Sequence, residues 1–442
     1  MPSHFILYME IITIVNACLM PLCSLDGACV TTIEGLGSSA STMHPVQERI
    51  ANCHGSQCGF CTPGIVMSTC AQLKQDANST PHDLEDCLDG NLCRCTGYRP
   101  ILDAVKSLSR CKDEASVDLD MNGCSSKALQ NSASETLVHN TTEQVVKCGD
   151  AIHGIEKLQP VIPEKLMTYR SRPLFFKHGN ISWYQPTTLT SLLKLKDQFP
   201  SARLVVGNTE VGIETHFKGM EYPIIINPSK IEELNNIIME RDGIRVGGSV
   251  SINLFREFVK DITDKKGVEE YKIRSLTAIY HMLSWFASNQ IRNAACLAGN
   301  IVTASPISDL NPMLLACDAK LVVQSVSGGV RHVEISNFFK SYRKVDLAPS
   351  EVLVAVWIPY TSQLEFTVPF KQARRREDDI SIVTGGIRIS LGIQDIRGYF
   401  IKDARIAFGG LAPTTILGKS ILTLTFSPSF FYVLDIVLQH TK

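Results

Sequence analysis

Four cysteines stand at spacings that could do redox or metal chemistry. Cys58 and Cys61 lie in Gln57-Cys58-Gly59-Phe60-Cys61-Thr62-Pro63-Gly64, and Cys93 and Cys95 in Asn91-Leu92-Cys93-Arg94-Cys95-Thr96-Gly97-Tyr98-Arg99-Pro100. Two close thiol pairs, each set before a helix start, can surround one small inorganic core. A [2Fe–2S] cluster takes four cysteine thiolates, two per iron. A tetrahedral thiolate site otherwise holds zinc. The second pair is C-x-C, whereas a ribbon or finger presents C-x2-C twice, so the spacing favours iron–sulfur and leaves zinc as the alternative.

The elements that must position these thiols are legible around them. Residues 40–111 read as a small four-helix domain. Pro45 opens a helix that Gly55 ends; Thr62 and Pro63 cap and open the next; Thr80-Pro81 repeats that opening, with Gly90 as its stop. Pro100 opens a fourth helix through Ile101, Leu102, Val105 and Leu108. Each thiol pair therefore precedes a helix N-terminus, where backbone N–H groups favour an anionic thiolate. Cys53, Cys70 and Cys87 fall within helices and read as apolar core.

Composition bounds the rest. The chain has 442 residues, 44% hydrophobic and 20% charged, with a formal net charge of −1. That is an ordinary globular balance, long enough for two or three domains, and it favours neither nucleic acid nor an anionic membrane as partner. Thirteen of the fifteen cysteines precede residue 150, in metal-ligand rather than disulfide spacing, which implies a reducing, cytoplasmic compartment. The apolar run from Phe5 to Val15 has no basic flank, is interrupted by Glu10 and is too short to span a bilayer; it reads as β-strand. Cys18-x4-Cys23 copies the opening of a plant-type ferredoxin pattern, but Cys29 follows too late to complete it. Residues 112–175 are rich in Ser, Asn, Thr and Glu and read as a partly disordered linker. From about residue 176, strands and helices alternate. Leu204-Val205-Val206-Gly207-Asn208-Thr209-Glu210-Val211 and Cys296-Leu297-Ala298-Gly299-Asn300 are neither GxGxxG nor a P-loop, so no Rossmann site is implied. By composition each is an ordinary strand–turn element. Small residues there leave amides able to approach a pyrophosphate, and Asn208, Thr209 and Asn300 add side-chain donors.

Three stretches together resemble the molybdo-flavoenzyme hydroxylases, the family of xanthine dehydrogenase and aldehyde oxidase: HPVQERIA through QCGFCTPG to GNLCRCTGYRPI, then LVVGNTEVG, then GNIVTASPISDLNP. The resemblance covers roughly residues 12–415, with a short echo at Ile421 to Leu438. It implies an α+β multidomain chain. Residues 1–39 are the remnant of a ferredoxin-like β domain and 40–111 the helical [2Fe–2S] domain. After the linker come residues 176–360, an FAD-binding domain of the vanillyl-alcohol-oxidase/CO-dehydrogenase flavoprotein type, and 361–442, an incomplete C-terminal flavoprotein subdomain.

The same resemblance implies one [2Fe–2S] cluster on Cys58, Cys61, Cys93 and Cys95, with Cys18 an orphan ligand of a first cluster and Gln57 facing the pterin of molybdopterin in a full-length relative. It implies FAD held by Leu204 to Val211, Phe286, Cys296 to Asn300, Asp309, Leu353 and Lys371. Tyr342 and Asp378 match positions near a nicotinamide. Two departures, Cys296 for serine and Ala298 for glycine, are expected to weaken FAD binding, as is a deletion between Gly418 and Ile421. SPISDLNP, Tyr342-Arg343-Lys344 and Arg375 to Ile380 look like the dehydrogenase branch; Ile291-Arg292-Asn293 and Gly410 to Ile416 lean toward aldehyde oxidase. The run at 374–379 would by itself be a solvated loop. The expected function is therefore the electron-transfer portion of a xanthine dehydrogenase-like enzyme. It would pass electrons to NAD+ or oxygen, act as a homodimer, and be unable by itself to hydroxylate substrate without the molybdenum domain. An aldehyde oxidase-like fragment, an inactive truncated product and a zinc-bearing interaction module are the alternatives.

Overall fold

The computed structural model describes residues 4–8, 12–40, 42–109, 163–264, 268–375, 378–393 and 399–418. The expected linker at 112–175 falls mostly outside these residues. So do the deletion beyond Gly418, the C-terminal echo, and Arg376 and Glu377 of the charged run. The chain divides into two compact units, residues 1–20 with 25–170 and residues 21–24 with 171–442.

In the first unit, β1 (His4–Tyr8) pairs antiparallel with β2 (Ile12–Asn16), Phe5 opposite Val15, and with β3 (Cys29–Thr31), Leu7 opposite Val30. The single strand expected between Phe5 and Val15 is thus a hairpin. Four helices follow: α1 (Pro45–Asn52), α2 (Thr62–Gln75), α3 (Pro81–Asp86) and α4 (Arg99–Lys106). Each has proline in its first turn, where the missing N–H has no intrahelical partner to lose. α2 is buried nearly all round from Gly64 to Ala71, and α4 buries Ile101, Ala104 and Val105 at helical spacing. Ile14 of the hairpin shares one core with Ile50, Ile65, Met67, Leu84 and Ile101, so strands and helices form a single body. A short α5 (Glu164–Met167) also belongs to this unit.

The capping differs from the expected pattern in three places. α1 is stopped by His54, at φ 57°, whose N–H returns to Ala51 O while Gly55 N–H returns to Ile50 O. Cys61, not Thr62, is the N-cap of α2. Cys53 and Cys87 lie at the C-caps of α1 and α3 rather than inside helices, although Cys87 is buried.

The second unit begins with β4 (Leu174–His178) and β5 (Ile181–Gln185), then α6 (Leu189–Gln198), β6 (Arg203–Leu204), α7 (Val211–Lys218) and β7 (Ile224–Ile226). β5, β7 and β6 run parallel in the order β4-β5-β7-β6. The strand of the expected strand–turn element at Leu204 to Val211 is only Arg203–Leu204, prolonged by Val205 N–H to Ile226 O. After α8 (Glu232–Asn235) come β8 (Ile237–Met239) and β9 (Gly243–Gly247). A helical layer follows: α9 (Ile252–Asp264), α10 (Glu270–Ser284), α11 (Asn289–Ala294), α12 (Leu297–Thr303) and α13 (Leu310–Ala316). β10 (Lys320–Ser325), β11 (Gly329–Glu334) and, beyond the small hairpin β12 (Phe339–Ser341) with β13 (Lys344–Val345), β14 (Val352–Pro359) complete an antiparallel sheet in the order β11-β10-β14-β9-β8. A last antiparallel sheet is β15 (Glu365–Gln372), β16 (Val383–Ile393), β17 (Tyr399–Gly409) and β18 (Ile416–Leu417). The main core packs α9, α10 and α13 against the five-stranded sheet through Phe255, Leu276, Met282, Leu314, Leu321 and Val356.

Candidate functional site

In the first unit the C-x-C loop is held from below by side chains that the motif does not advertise. Tyr98, at φ 68°, accepts Cys93 N–H on its hydroxyl at 2.8 Å and donates to Asn91 O at 3.1 Å. Asn91, buried, donates in turn to Ser68 Oγ on α2 at 3.0 Å. The four thiols act on one another's acidity in two pairs, Cys58 with Cys95 and Cys61 with Cys93. Paired thiols are the donor grouping of a core with two metal centres.

Their acidities fit that role. Burial pushes Cys93 up, but the Thr96 hydroxyl and the N–H groups of Thr96 and Cys95 bring it down to about 7. The Phe60 N–H lowers Cys58, while its partner Cys95 is raised by the shared bond. Burial raises Cys61 to about 11. Cys58 and Cys93 are thus the two thiols shifted toward the thiolate form, the form that binds a metal. Cys58 and Cys95 are exposed, as is Gln57 beside them. Cys18 is exposed in the turn after β2, its N–H on Asn16 Oδ1.

In the second unit a cavity of about 820 Å³ opens where the loop after β6 meets α12. Leu204 to Val211, Phe286, Cys296, Ala298, Gly299, Asn300, Asp309, Leu353 and Asp378 all line it. Leu297, fully buried beneath the wall, and Tyr342, exposed on the hairpin turn, do not. Lys371 stands behind the wall with its side chain 3% exposed; its Nζ donates to Asp309 Oδ2 at 2.9 Å and to Trp285 O at 2.7 Å. Burial raises the Asp309 pKa against the pull of Lys371, and Ser381 donates to its other oxygen. Burial likewise raises Asp378, at φ 47°.

Two glycines make the walls possible. A Cβ on Gly207 would fall 1.8 Å from Ala294 O, and one on Gly248 would fall 2.6 Å from Leu353 O and 3.1 Å from the Ala298 methyl. The Ala298 methyl therefore lies in space that Gly248 leaves. Cys296 is the N-cap of α12, its Sγ accepting Gly299 N–H at 3.3 Å, so the thiol does the capping of a hydroxyl. Buried, it is raised to about 11 and stays protonated.

One chemical expectation is corrected. Residues 296–300 are the start of a helix, not a strand–turn element, and its first amides are already spoken for. Leu297 N–H donates to Val250 O, Ala298 N–H to Gly248 O and Asn300 N–H to Cys296 O. Amide donors for a diphosphate must therefore come from the loop after β6. Among the described residues no backbone bond uses the N–H of Gly207 or Thr209. Asn300, which lines the cavity, accepts Ser308 Oγ on its Oδ1 at 2.9 Å. Arg343, named in the sequence only as part of a branch-marking tripeptide, lines the cavity at φ 55° and pairs with Glu210. A volume of this size, with a Gly-bounded loop, aliphatic walls and a buried ion pair at one side, suits a flavin dinucleotide.

Family models match three segments: a [2Fe-2S] binding domain over residues 32–106, an FAD binding domain in molybdopterin dehydrogenase over 178–361, and a CO dehydrogenase flavoprotein C-terminal domain over 369–424. Among curated proteins, xanthine dehydrogenase 1 of Arabidopsis thaliana is 40% identical over 92% of this chain and 31% of its own length. Xanthine dehydrogenase/oxidase of Gallus gallus is 42% identical over 91% and 31%, and xanthine dehydrogenase of Dictyostelium discoideum 44% over 90% and 31%. The chain spans about a third of the length of these relatives. A solved carbon monoxide dehydrogenase from Hydrogenophaga pseudoflava aligns at 19% identity and a TM-score of 0.47 over 56% of this chain and 78% of that one. Three matching segments joined in one sequence, with relatives about 40% identical along nine-tenths of it, make this chain a member of the molybdo-flavoenzyme family that carries its [2Fe–2S]-binding and FAD-binding domains.

Proposed function

We propose that this chain is the electron-transfer portion of a xanthine dehydrogenase-like oxidoreductase. When bound, a [2Fe–2S] cluster and FAD supply the carriers between purine hydroxylation at a molybdopterin centre and NAD+. The observation behind this reading is the presence, in one chain, of four thiols gathered before helix starts and a dinucleotide-sized cavity backed by Asp309 and Lys371.

Each residue then has a task. Cys58, Cys61, Cys93 and Cys95 bind the irons, and Tyr98 and Asn91 hold the loop that presents two of them. Leu204 to Val211 and Cys296 to Asn300 embrace the diphosphate and ribityl chain of FAD, while Phe286, Asp309 and Lys371 place the ring system and Leu353 is a further contact of the cofactor. Lys371 keeps a positive charge beside it without exposing that charge to water. Tyr342 and Asp378 face the nicotinamide, Gln57 faces a pterin, and Cys18 is an orphan ligand of a first cluster, which leaves one cluster per chain. Oxygen is the alternative acceptor, as in an aldehyde oxidase-like protein. Thiols in metal-ligand spacing support a reducing, cytoplasmic setting, and a homodimer follows the family. Among the described residues no helix is long and apolar enough to cross a membrane. These 442 residues do not by themselves hydroxylate purines or aldehydes.

The test is a visible spectrum with iron, sulfide and flavin analysis of the purified chain, followed by NADH oxidation with an artificial acceptor. Two irons and one flavin per chain, with NADH-dependent acceptor reduction, are expected. A colourless zinc protein, or one holding neither iron nor flavin, refutes the reading. Urate formation from xanthine by this chain would overturn the division of labour.

A further inference from the structure

One wall of the second unit's cavity is a short strap. Residues 346–351 join β13 to β14, and Leu347, Ala348, Pro349 and Glu351 line the cavity without being part of a strand or helix. Arg331 on β11 holds them. Its Nε and Nη2 donate to the two oxygens of Glu351 at 2.7 and 2.8 Å. The same Nη2 donates to Asp346 O at 2.7 Å, and Nη1 to Asp346 Oδ2 at 3.2 Å. Glu351 Oε2 also accepts Ala348 N–H at 2.7 Å. One guanidinium thus fixes both ends of the strap, and the carboxylate it grips fixes the middle.

An isolated pair at this exposure would count for little, but the two-point fork is the geometry in which it does count. Lysine, a point charge, cannot reproduce it. α12 locates the strap along the cavity. Seven residues of helix span about 10 Å. At the start of α12, Ala298 lies against Gly248, which also adjoins Leu353, two residues beyond the strap; after its end come Ser308 and Asp309 with Lys371. With the flavin ring at the Asp309 end, as the proposed function has it, the second nucleotide of the cofactor reaches the strap.

We infer that Arg331 is a positioning residue for the dinucleotide: it sets strap 346–351 against the adenylate half of FAD and makes the cavity prefer FAD to a flavin mononucleotide. The inference rests on the FAD reading of this cavity. It is tested by flavin-fluorescence titration of the full chain, stripped of flavin, with FAD and with FMN. The variants are Arg331→Gln, Arg331→Lys and Glu351→Gln. Lys320→Gln, which removes the Lys320–Glu334 pair of the same sheet, is the control. The wild-type chain is expected to bind FAD more tightly than FMN. Each strap variant should weaken FAD by about tenfold and FMN by less than about twofold, while Lys320→Gln moves neither. Thermal unfolding of the flavin-free variants reports folding, and Arg331→Lys, which keeps charge and stem, carries the test if Arg331→Gln does not fold. Unchanged FAD affinity in the folded variants, equal losses for FAD and FMN, or a wild-type chain that binds both alike would each overturn the inference. A wild-type chain that binds neither flavin refutes the FAD reading itself, and the inference with it.

Discussion

His44 should make the iron–sulfur unit acid-sensitive in a way that can be separated from the acid sensitivity of its thiols. It is fully buried at the N-cap of α1; Nδ1 accepts Val46 N–H at 3.3 Å and Nε2 meets Cys70 Sγ at 3.6 Å. The ring is therefore the neutral tautomer with its proton on Nε2, and a second proton on Nδ1 would set one N–H against another. Burial, and then the nearby Lys74 charge, lower its pKa from 6.5 to about 4. The sign follows from linkage. Below 6.5 the unfolded chain takes up a proton that the folded chain refuses, so the stabilisation is complete above pH 6.5 and is lost as pH falls toward 4. With those two values the loss is about 2 kcal/mol at pH 5 and about 3 kcal/mol at pH 4. His44→Asn keeps a cap acceptor and removes the titration. Urea unfolding of the two holo-proteins, followed by cluster absorption between pH 7 and 4, isolates the term, because thiolate protonation is common to both. Wild type should lose the extra stability and the Asn variant should not. Parallel curves for the two proteins would refute the reasoning.

Four further outcomes are expected. Tyr98→Phe strips the partner from Cys93 N–H and from Asn91 O, costing about 1–3 kcal/mol of local stability; it should bleach the cluster faster at neutral pH, and an unchanged bleaching rate would count against the support role. Gly207→Ala must displace the Ala294 carbonyl and should abolish saturable flavin quenching while leaving the cluster spectrum intact. Lys371→Met strands the buried Asp309 carboxylate and should lower the melting temperature of the second unit by a loss of about 3–5 kcal/mol, with Lys371→Met/Asp309→Leu recovering much of it; no recovery would mean that the pair is not the source. Ala298→Gly should leave FAD affinity unimproved because its methyl fills the space over Gly248, whereas Gly248→Ala should weaken it; a gain from Ala298→Gly in equilibrium titration would show that the methyl obstructs the cofactor.

The helical unit was unusually readable because proline marks first turns for a purely local reason, and Pro45, Pro63, Pro81 and Pro100 all sit there. The caps were less readable. Histidine is not a usual N-cap, and His44 serves only because burial keeps it neutral and Gln47 Oε1 returns to its N–H at 2.8 Å. Thr62 looked like the cap of α2, yet the chain turns one residue earlier so that Cys61 takes that place. Nothing in a glycine-adjacent histidine announces that His54 rather than Gly55 adopts the left-handed turn. In each case the deciding term is tertiary, and a local pattern can name the neighbourhood but not the residue.

The cavity carries the same lesson further, because its walls are fixed by pairs that no window of sequence contains. Asp309 could be singled out, but what makes it a stable buried anion is Lys371, 62 residues on, with Ser381, 72 on. Strap residues 346–351 have no periodicity to read; Arg331, on another strand, gives them their shape. The segment at 296–300 looked like a source of free amides because its residues are small. Small residues, however, also let two backbones touch, and here Val250 and Gly248 take those amides for the protein's own use. Smallness alone therefore does not identify a phosphate site; it identifies a close approach, and only the partner's identity tells whether the approach is to a ligand or to the chain itself. Read that way, the loop after β6 is the better diphosphate candidate of the two. There Gly207 is pressed against Ala294 from behind, and no backbone partner among the described residues claims its N–H.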